Sequence, residues 1–247
     1  MRRTLTASFF ALSAIALCLA TARAADVEPN LIRPFAGEGS TPAAPWRVTG
    51  LPNQSKPFTR FSVTDLDGHK ALRIEADSSY GNLMHPLRLE NTNAHLAWQW
   101  RVDELNDAAD IHVRGTEDIA LKVCTLWDLP LERVPFVDRA QLRFLRSRTE
   151  DPVPGATVCY IWDPHLPVGT QVDSPFTRRL RYIVLRSGAE RLHRWTAERR
   201  DIAADFLKLF GDEARELPPL IGVAVGADSD NTHTHTLAHA ADLVLAP

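Results

Sequence analysis

The sequence predicts an all-β sandwich with one peripheral helix over about residues 199–210. Three observations carry that prediction. Several short runs alternate apolar and polar residues with period two. Turn residues punctuate those runs. One segment alone shows the 3.6-residue apolar period of a helix.

The elements follow in chain order. Phe61-Ser62-Val63 and Ala71-Leu72-Arg73-Ile74 flank Asp67-Gly68, a pair suited to a two-residue hairpin turn. Leu96, Trp98, Trp100 and Val102 alternate with Ala97, Gln99, Arg101 and Asp103, which places one face of that strand in a core. Ile119, Leu121, Val123 and Thr125 alternate in a run ending at Trp127. Thr157–Trp162, Leu180–Leu185, Ile221–Val225 and Ala238–Leu245 are further strands. The helix shows Ile202, Phe206, Leu209 and Phe210 at i, i+4, i+7 and i+8. Asp201 suits its start, Lys208 its last turn and Gly211 its end, and Pro218-Pro219 then blocks helix. One helix among many short strands suits a sandwich crossed by a peripheral helix.

The amino terminus has the three parts of an export signal. Met1-Arg2-Arg3 is basic, Ala7 to Ala20 is almost wholly apolar, and Ala22-Arg23-Ala24 is a small-x-small cleavage site. The apolar run is shorter than the roughly 20 residues that span a bilayer. The expected organisation is a signal peptide over 1–24, an extended Pro- and Gly-rich segment over 25–57, and the sandwich over 58–247. The expected location is periplasmic or secreted, with no membrane span after cleavage. Leu17 before Cys18 is not the small residue a lipid anchor needs. The formal net charge is −3, and Arg2, Arg3 and Arg23 all lie in the leader. A mildly acidic domain has no overall electrostatic pull toward nucleic acid or anionic membranes. Cys124 and Cys159 are the two cysteines of the mature domain. In an oxidising compartment they can pair if their strands are neighbours, or remain two small buried residues.

Several segments carry a family resemblance. They are Val158-Cys159-Tyr160-Ile161-Trp162-Asp163 with Pro167-Val168-Gly169-Thr170; Trp195 with Arg199-Arg200-Asp201-Ile202, Asp205-Phe206 and Phe210-Gly211; and Gly222-Val223-Ala224-Val225 with Asp228-Ser229-Asp230-Asn231-Thr232. Leu96–Val102 and the acidic pair Glu117-Asp118 precede them in the same order. The series resembles the bacterial domain-of-unknown-function family 3047 over roughly residues 58–245. The resemblance implies an exported, jelly-roll-like sandwich similar to galactose-binding-like and carbohydrate-binding modules. It implies no established activity. The family tends to have two aspartates at Glu117-Asp118 and an arginine at Lys122, so a charged site there would be altered in this chain.

Four groups of residues could carry chemistry. Asp228, Asp230 and Asn231 alternate oxygen donors as a Ca²⁺ loop does, yet a hard cation wants about 6–8 oxygens and the distal glutamate of an EF-hand is missing. Asp and Asn are also ordinary turn residues. His233, His235 and His239 share a face if extended and could hold Zn²⁺ or Cu²⁺, but the fuller HxHxDH pattern of metallo-hydrolases is incomplete. No cofactor is expected beyond a structural Ca²⁺ at the acidic turn. Glu117, Asp118, Asp163, Asp228 and Asp230 sit at strand ends, where two carboxylates about 5–10 Å apart could hydrolyse a glycoside; solvated turns are the plainer reading. Trp127, Trp162 and Trp195 lie at or near strand ends, where an indole face could stack on a sugar, although core filling explains each one singly. With Lys122, these acidic and aromatic residues form the candidate ligand set.

No GxSxG, P-loop, GxGxxG, HExxH or CxxC pattern occurs, so dinucleotide, nucleotide and thiol-redox chemistry has no support. Three functions remain. The first is a non-catalytic periplasmic module binding a glycan or envelope polysaccharide. The second is a glycan hydrolase or lyase using strand-end carboxylates. The third is a structural envelope protein. An open groove with a solvent-facing Trp127, Trp162 or Trp195 would favour binding, and carboxylates meeting in a cleft would favour the enzyme.

Overall fold

A computed structural model describes residues 30–51, 53–90, 93–148 and 153–246. The signal peptide expected over 1–24 lies outside the described residues.

Among the described residues twelve strands form two sheets. In chain order they are β1 (Arg47–Thr49), β2 (Arg60–Leu66), β3 (His69–Asp77), β4 (Tyr80–Leu89), β5 (His95–Glu104) and β6 (Leu121–Trp127), followed by helix α1 (Phe136–Arg146). Then come β7 (Ala156–Asp163), β8 (Gln171–Asp173), β9 (Leu180–Ser187), β10 (Thr196–Asp201), helix α2 (Ile202–Phe210), β11 (Leu220–Asp228) and β12 (His235–Ala246). The seven-stranded sheet has the order β1-β4-β11-β6-β7-β9-β8, and the five-stranded sheet β10-β5-β12-β3-β2. Only β7–β9 is parallel among the ladders of these strands. This is the jelly-roll-like sandwich that the sequence predicts.

Alternation decides what each face carries. On β6, Leu121, Val123 and Trp127 point into the core between the sheets, while Lys122, Cys124 and Leu126 point outward. Trp98 and Trp100 of β5 meet Tyr160 and Trp162 of β7 across that core, with ring centroids 5.3 and 6.0 Å apart. Cys124 and Cys159 are directly opposite in the β6–β7 register and form a disulfide. The pairing left open by the sequence is therefore made, on the outer face of the larger sheet.

Two features differ from expectation. The peripheral helix begins at Ile202, because residues 196–201 pair with β5 as an edge strand. Asp201 ends that strand and caps the helix, accepting from the Ala204 amide at 2.9 Å. A second helix, α1, was not expected. Leu142 is its one buried residue, so its sequence lacks the apolar core stripe that identifies a helix.

Candidate functional site

The outward face of the larger sheet carries a groove. At one end is a pocket of about 280 Å³ walled by Tyr80, Phe176, Leu180 and Tyr182 and bearing Glu117, Lys122, Asp228 and Asp230. It opens into a second hollow of about 220 Å³ over the Cys124–Cys159 bridge, which shares Tyr80, Lys122 and Leu180 with the first. A third, of about 180 Å³, continues through Thr157 and Leu180 to Asp138, Leu142 and Leu145 of α1.

Strand register assembles the charged end. Lys122 is opposite Gly226 on β11, two residues before Asp228, and Asp228 is opposite Tyr80 at the start of β4. Gly226 is required here: a Cβ would lie 2.2 Å from the Asn82 side-chain oxygen and 2.7 Å from the Gly81 carbonyl. The Asp228 amide donates to the Ile119 carbonyl at 3.0 Å, which holds the segment carrying Glu117 and Asp118 against the end of β11.

Each buried group has its own setting. Lys122 Nζ donates to Asp228 Oδ1 at 2.5 Å and sits 5.0 Å from the centre of the Tyr80 ring. Both charged side chains are 5% exposed or less. Glu117 Oε1 accepts from the Ser174 hydroxyl at 3.0 Å and from the Tyr182 hydroxyl. Asp118 is taken up by the following turn. It accepts from the Asn231 amide at 3.1 Å, the Asn231 side chain at 3.3 Å and the Thr232 amide at 2.7 Å, and from the Thr232 hydroxyl. Asp230 Oδ1 is buried without a hydrogen-bond partner among the described residues. Oxygens of Asp118, Asp228 and Asp230 lie within 4.8 Å of one another.

Four carboxyls therefore crowd around the buried Lys122 ammonium, and Lys56 reaches the cluster from its exposed side, donating to the Asp230 carbonyl at 3.2 Å. Burial alone would pull Lys122 down, but the charge of Asp228 overcomes it and holds the ammonium protonated. Burial pushes the Asp228 carboxyl up to about 7, with Glu117 and Asp118 adding to it and Lys122 opposing. Burial also raises Glu117 against the hydrogen bond from Tyr182, and raises Asp230 with help from Asp118. Burial and mutual repulsion therefore favour proton retention on the clustered Asp228, Glu117 and Asp230 carboxyls.

The structure gathers some of the sequence candidates and separates others. Glu117, Lys122, Asp228 and Asp230 line one pocket, and Asp118 lies directly behind it. Asp163 stands apart: its Oδ1 caps the turn after β7, accepting from the His165 and Leu166 amides at 2.7 and 2.6 Å. Trp127 and Trp162 are 0% and 1% exposed and fill the core, so neither can stack on a ligand. Their positions follow the inward parity of β6 and β7. Trp195 is partly buried on the opposite, outer face of the smaller sheet, packed 4.6 Å from the His69 ring.

The histidines are not part of this pocket either. His235 bonds Glu104 at 2.8 Å and Glu75 at 3.2 Å on the smaller sheet, and His239 pairs with Asp103 at 2.9 Å. His233 occupies a turn with φ 56°. Asn231 turns its amide toward Asp118 and the Glu117 carbonyl. The metal candidates thus divide: Asp228 and Asp230 meet with Asp118, while His233 and His235 lie elsewhere. A Ca²⁺ at the aspartates would meet a protonated Lys122 already bonded to Asp228 and an Asp118 whose oxygens are committed. That donor set does not fit a cation needing about 6–8 oxygens.

The sequence reading missed Tyr80, Tyr182 and Ser174. Tyr182 had a usable signal, because it falls on the outward parity of β9 between the core residues of that strand. Ser174 had none.

A family model described as "Protein of unknown function (DUF3047)" matches residues 44–244. No curated protein matches the sequence. Among solved structures, the chain is similar to a protein from a study of family 12 glycoside hydrolases, at 11% identity over 85% of this chain and 96% of that one, with TM-score 0.44. The xyloglucanase domain of NopAA from Sinorhizobium fredii, in complex with cellobiose, is 9% identical over 82% and 97%, with TM-score 0.40. The endo-1,4-β-glucanase CelB2 is 13% identical over 75% and 85%, with TM-score 0.41.

Proposed function

The chain belongs to the DUF3047 family, and from the geometry of its groove we propose that it is a glycan hydrolase working in the periplasm or outside the cell. The observation that carries this is the convergence of Glu117, Asp228 and Asp230 in one wall of the groove. Hydrolysis of a glycoside needs a protonated carboxyl for the leaving oxygen and an ionised one for water or the sugar carbon. A cluster that shares protons at neutral pH supplies both. Lys122 holds Asp228 in place, the Tyr182 and Ser174 hydroxyls hold Glu117, and Asp118 fixes the turn bearing Asp230.

The groove suits an extended ligand. Its walls alternate aromatic and aliphatic surface with polar groups, as sugar rings require. Four carboxyls outnumber the Lys122 and Lys56 ammoniums, so a neutral or amino-sugar polymer fits better than an anionic one. That charge argues for hydrolase over a lyase acting on uronates. The Cys124–Cys159 disulfide and the export signal read in the sequence support the address.

The competing reading, a non-catalytic glycan module, is favoured by the length of groove lying beyond the carboxyls. Purified protein incubated with neutral polysaccharides separates the two, with reducing ends and binding measured together. The hydrolase reading expects new reducing ends. Binding with no product would transfer the groove to the non-catalytic reading, and neither would remove the glycan assignment.

A further inference from the structure

Helix α1 turns Leu142 and Leu145 toward the groove and leaves three further large apolar side chains on its outer side. Leu142 is its one buried residue, and Asp138 and Arg146 face the protein, pairing with Arg179 and Asp128 at 3.1 Å each. Phe136, Val137 and Phe144 share the solvent face at 83%, 82% and 56% exposure. Such a cluster of exposed apolar side chains marks a contact surface. Exposed arginines border it. Arg148 stacks on the Phe144 ring at 4.9 Å, and Arg143 has no ion-pair partner among the described residues. Arg139 donates to two carbonyls, Glu132 and Val134, and has no ion-pair partner among the described residues.

We propose that α1 docks the protein on an anionic lipid surface, with Phe136, Val137 and Phe144 entering the headgroup layer and Arg143 and Arg148 meeting lipid phosphates. Aromatic side chains flanked by arginines on one face of a surface helix are the composition of an interfacial helix. Charge complementarity selects the occupant. A two-fold contact with a second copy would bring Arg143 and Arg148 toward their own counterparts, at a repulsive cost. Lipid phosphates neutralise them, at about 1 kcal/mol per arginine. Because α1 also walls one end of the groove, docking would hold the groove's mouth beside the bilayer.

Hydrogen–deuterium exchange of the full chain tests this. The probes are phosphatidylglycerol vesicles and neutral phosphatidylcholine vesicles, and the readout is the amides of residues 136–146. An apolar leader would raise vesicle binding in every variant alike, without protecting α1. Protection is expected with the anionic vesicles alone. It should weaken at least about tenfold in vesicle concentration for Phe136→Glu/Phe144→Glu and for Arg143→Glu/Arg148→Glu. Unchanged α1 exchange with anionic vesicles would overturn the proposal, as would equal protection by neutral ones. Protection without vesicles that grows with protein concentration would assign the face to a second copy and overturn it as well. Circular dichroism and the urea midpoint identify any variant that has failed to fold.

Discussion

Replacing Lys122 by Met removes the buried ammonium from a site of four carboxyls, and its consequences can be worked from the structure. Lys122 and Asp228 are 5% and 2% exposed, so solvent cannot replace the lost partner. Breaking a buried pair on one side typically costs about 3–5 kcal/mol, because the remaining charge is left uncompensated. Asp228 has an escape, which is to take up a proton. Its carboxyl is already pushed from 3.8 to about 7 in the folded protein. A folded-state value above the unfolded one makes the folded state bind the extra proton. Wild-type stability from this group is therefore greatest below about pH 4 and falls as pH rises toward 7, by roughly 4 kcal/mol at most. Without Lys122 the carboxyl rises further, so the variant's deficit should grow with pH. Urea unfolding at pH 5 and pH 8 should give a deficit larger at pH 8 by up to about 1.4 kcal/mol, the linkage of one pH unit above the wild-type value of about 7, at constant m-value. A deficit independent of pH, or one below about 1 kcal/mol at pH 8, would refute the reasoning. Adding Asp228→Asn to Lys122→Met should recover part of the loss at pH 8.

Three further outcomes follow from the same structure. Cys124→Ser/Cys159→Ser opens a loop with a sequence separation of 35 residues, and should lower unfolding free energy by roughly 2–4 kcal/mol; a urea midpoint equal to wild type would mean that the bridge is dispensable. Gly226→Ala forces a Cβ against the Gly81 carbonyl and the Asn82 side chain, and should cost about 1–3 kcal/mol, read by thermal melting; a change under about 0.5 kcal/mol would show that the close approach is not real. Burial pulls His235 down, but Glu104 and Glu75 overcome it and raise its titration above 6.5. Its contribution is then present below pH 6.5 and lost as pH rises through the raised value. His235→Ala should cost roughly 0.2–1 kcal/mol at pH 5.5 and nothing at pH 9, and an equal cost at both would contradict the ion-pair account.

Much of the scaffold was legible because it obeys local rules. The Asp67-Gly68 hairpin, the alternation in β5 and β6 and the apolar face of α2 each express one periodicity without conflict. Failures came where surface or edge position removes the pattern. Thr196–Asp201 is an edge strand of mostly charged residues, so it resembled the start of the helix it precedes. In α1 Phe136, Val137 and Phe144 face solvent while Leu142 and Leu145 face the groove, which blurs the expected single stripe. At the site, every charged member except its placement was visible in the sequence. Glu117 and Asp118 stand more than 100 residues before Asp228, and only the β6–β11 ladder brings them together. Trp127 and Trp162 stood as ligand candidates because of their nearness to strand ends, and the structure gives them the core-filling role that the sequence also offered. Counting parity from Leu121 would have put Trp127 inward with Val123.

The central claim is that the clustered carboxyls do chemistry on a glycan lying in the groove. Its most direct test is reducing-end release from a neutral polysaccharide by wild type, Glu117→Gln and Asp228→Asn, with binding of the same polymer measured in parallel. Loss of a general acid or of its carboxylate partner typically costs about 10²–10⁴-fold in rate. The account predicts losses in that range for both variants, with binding retained. Wild-type protein that binds without releasing product, or variants that keep full activity, would contradict it.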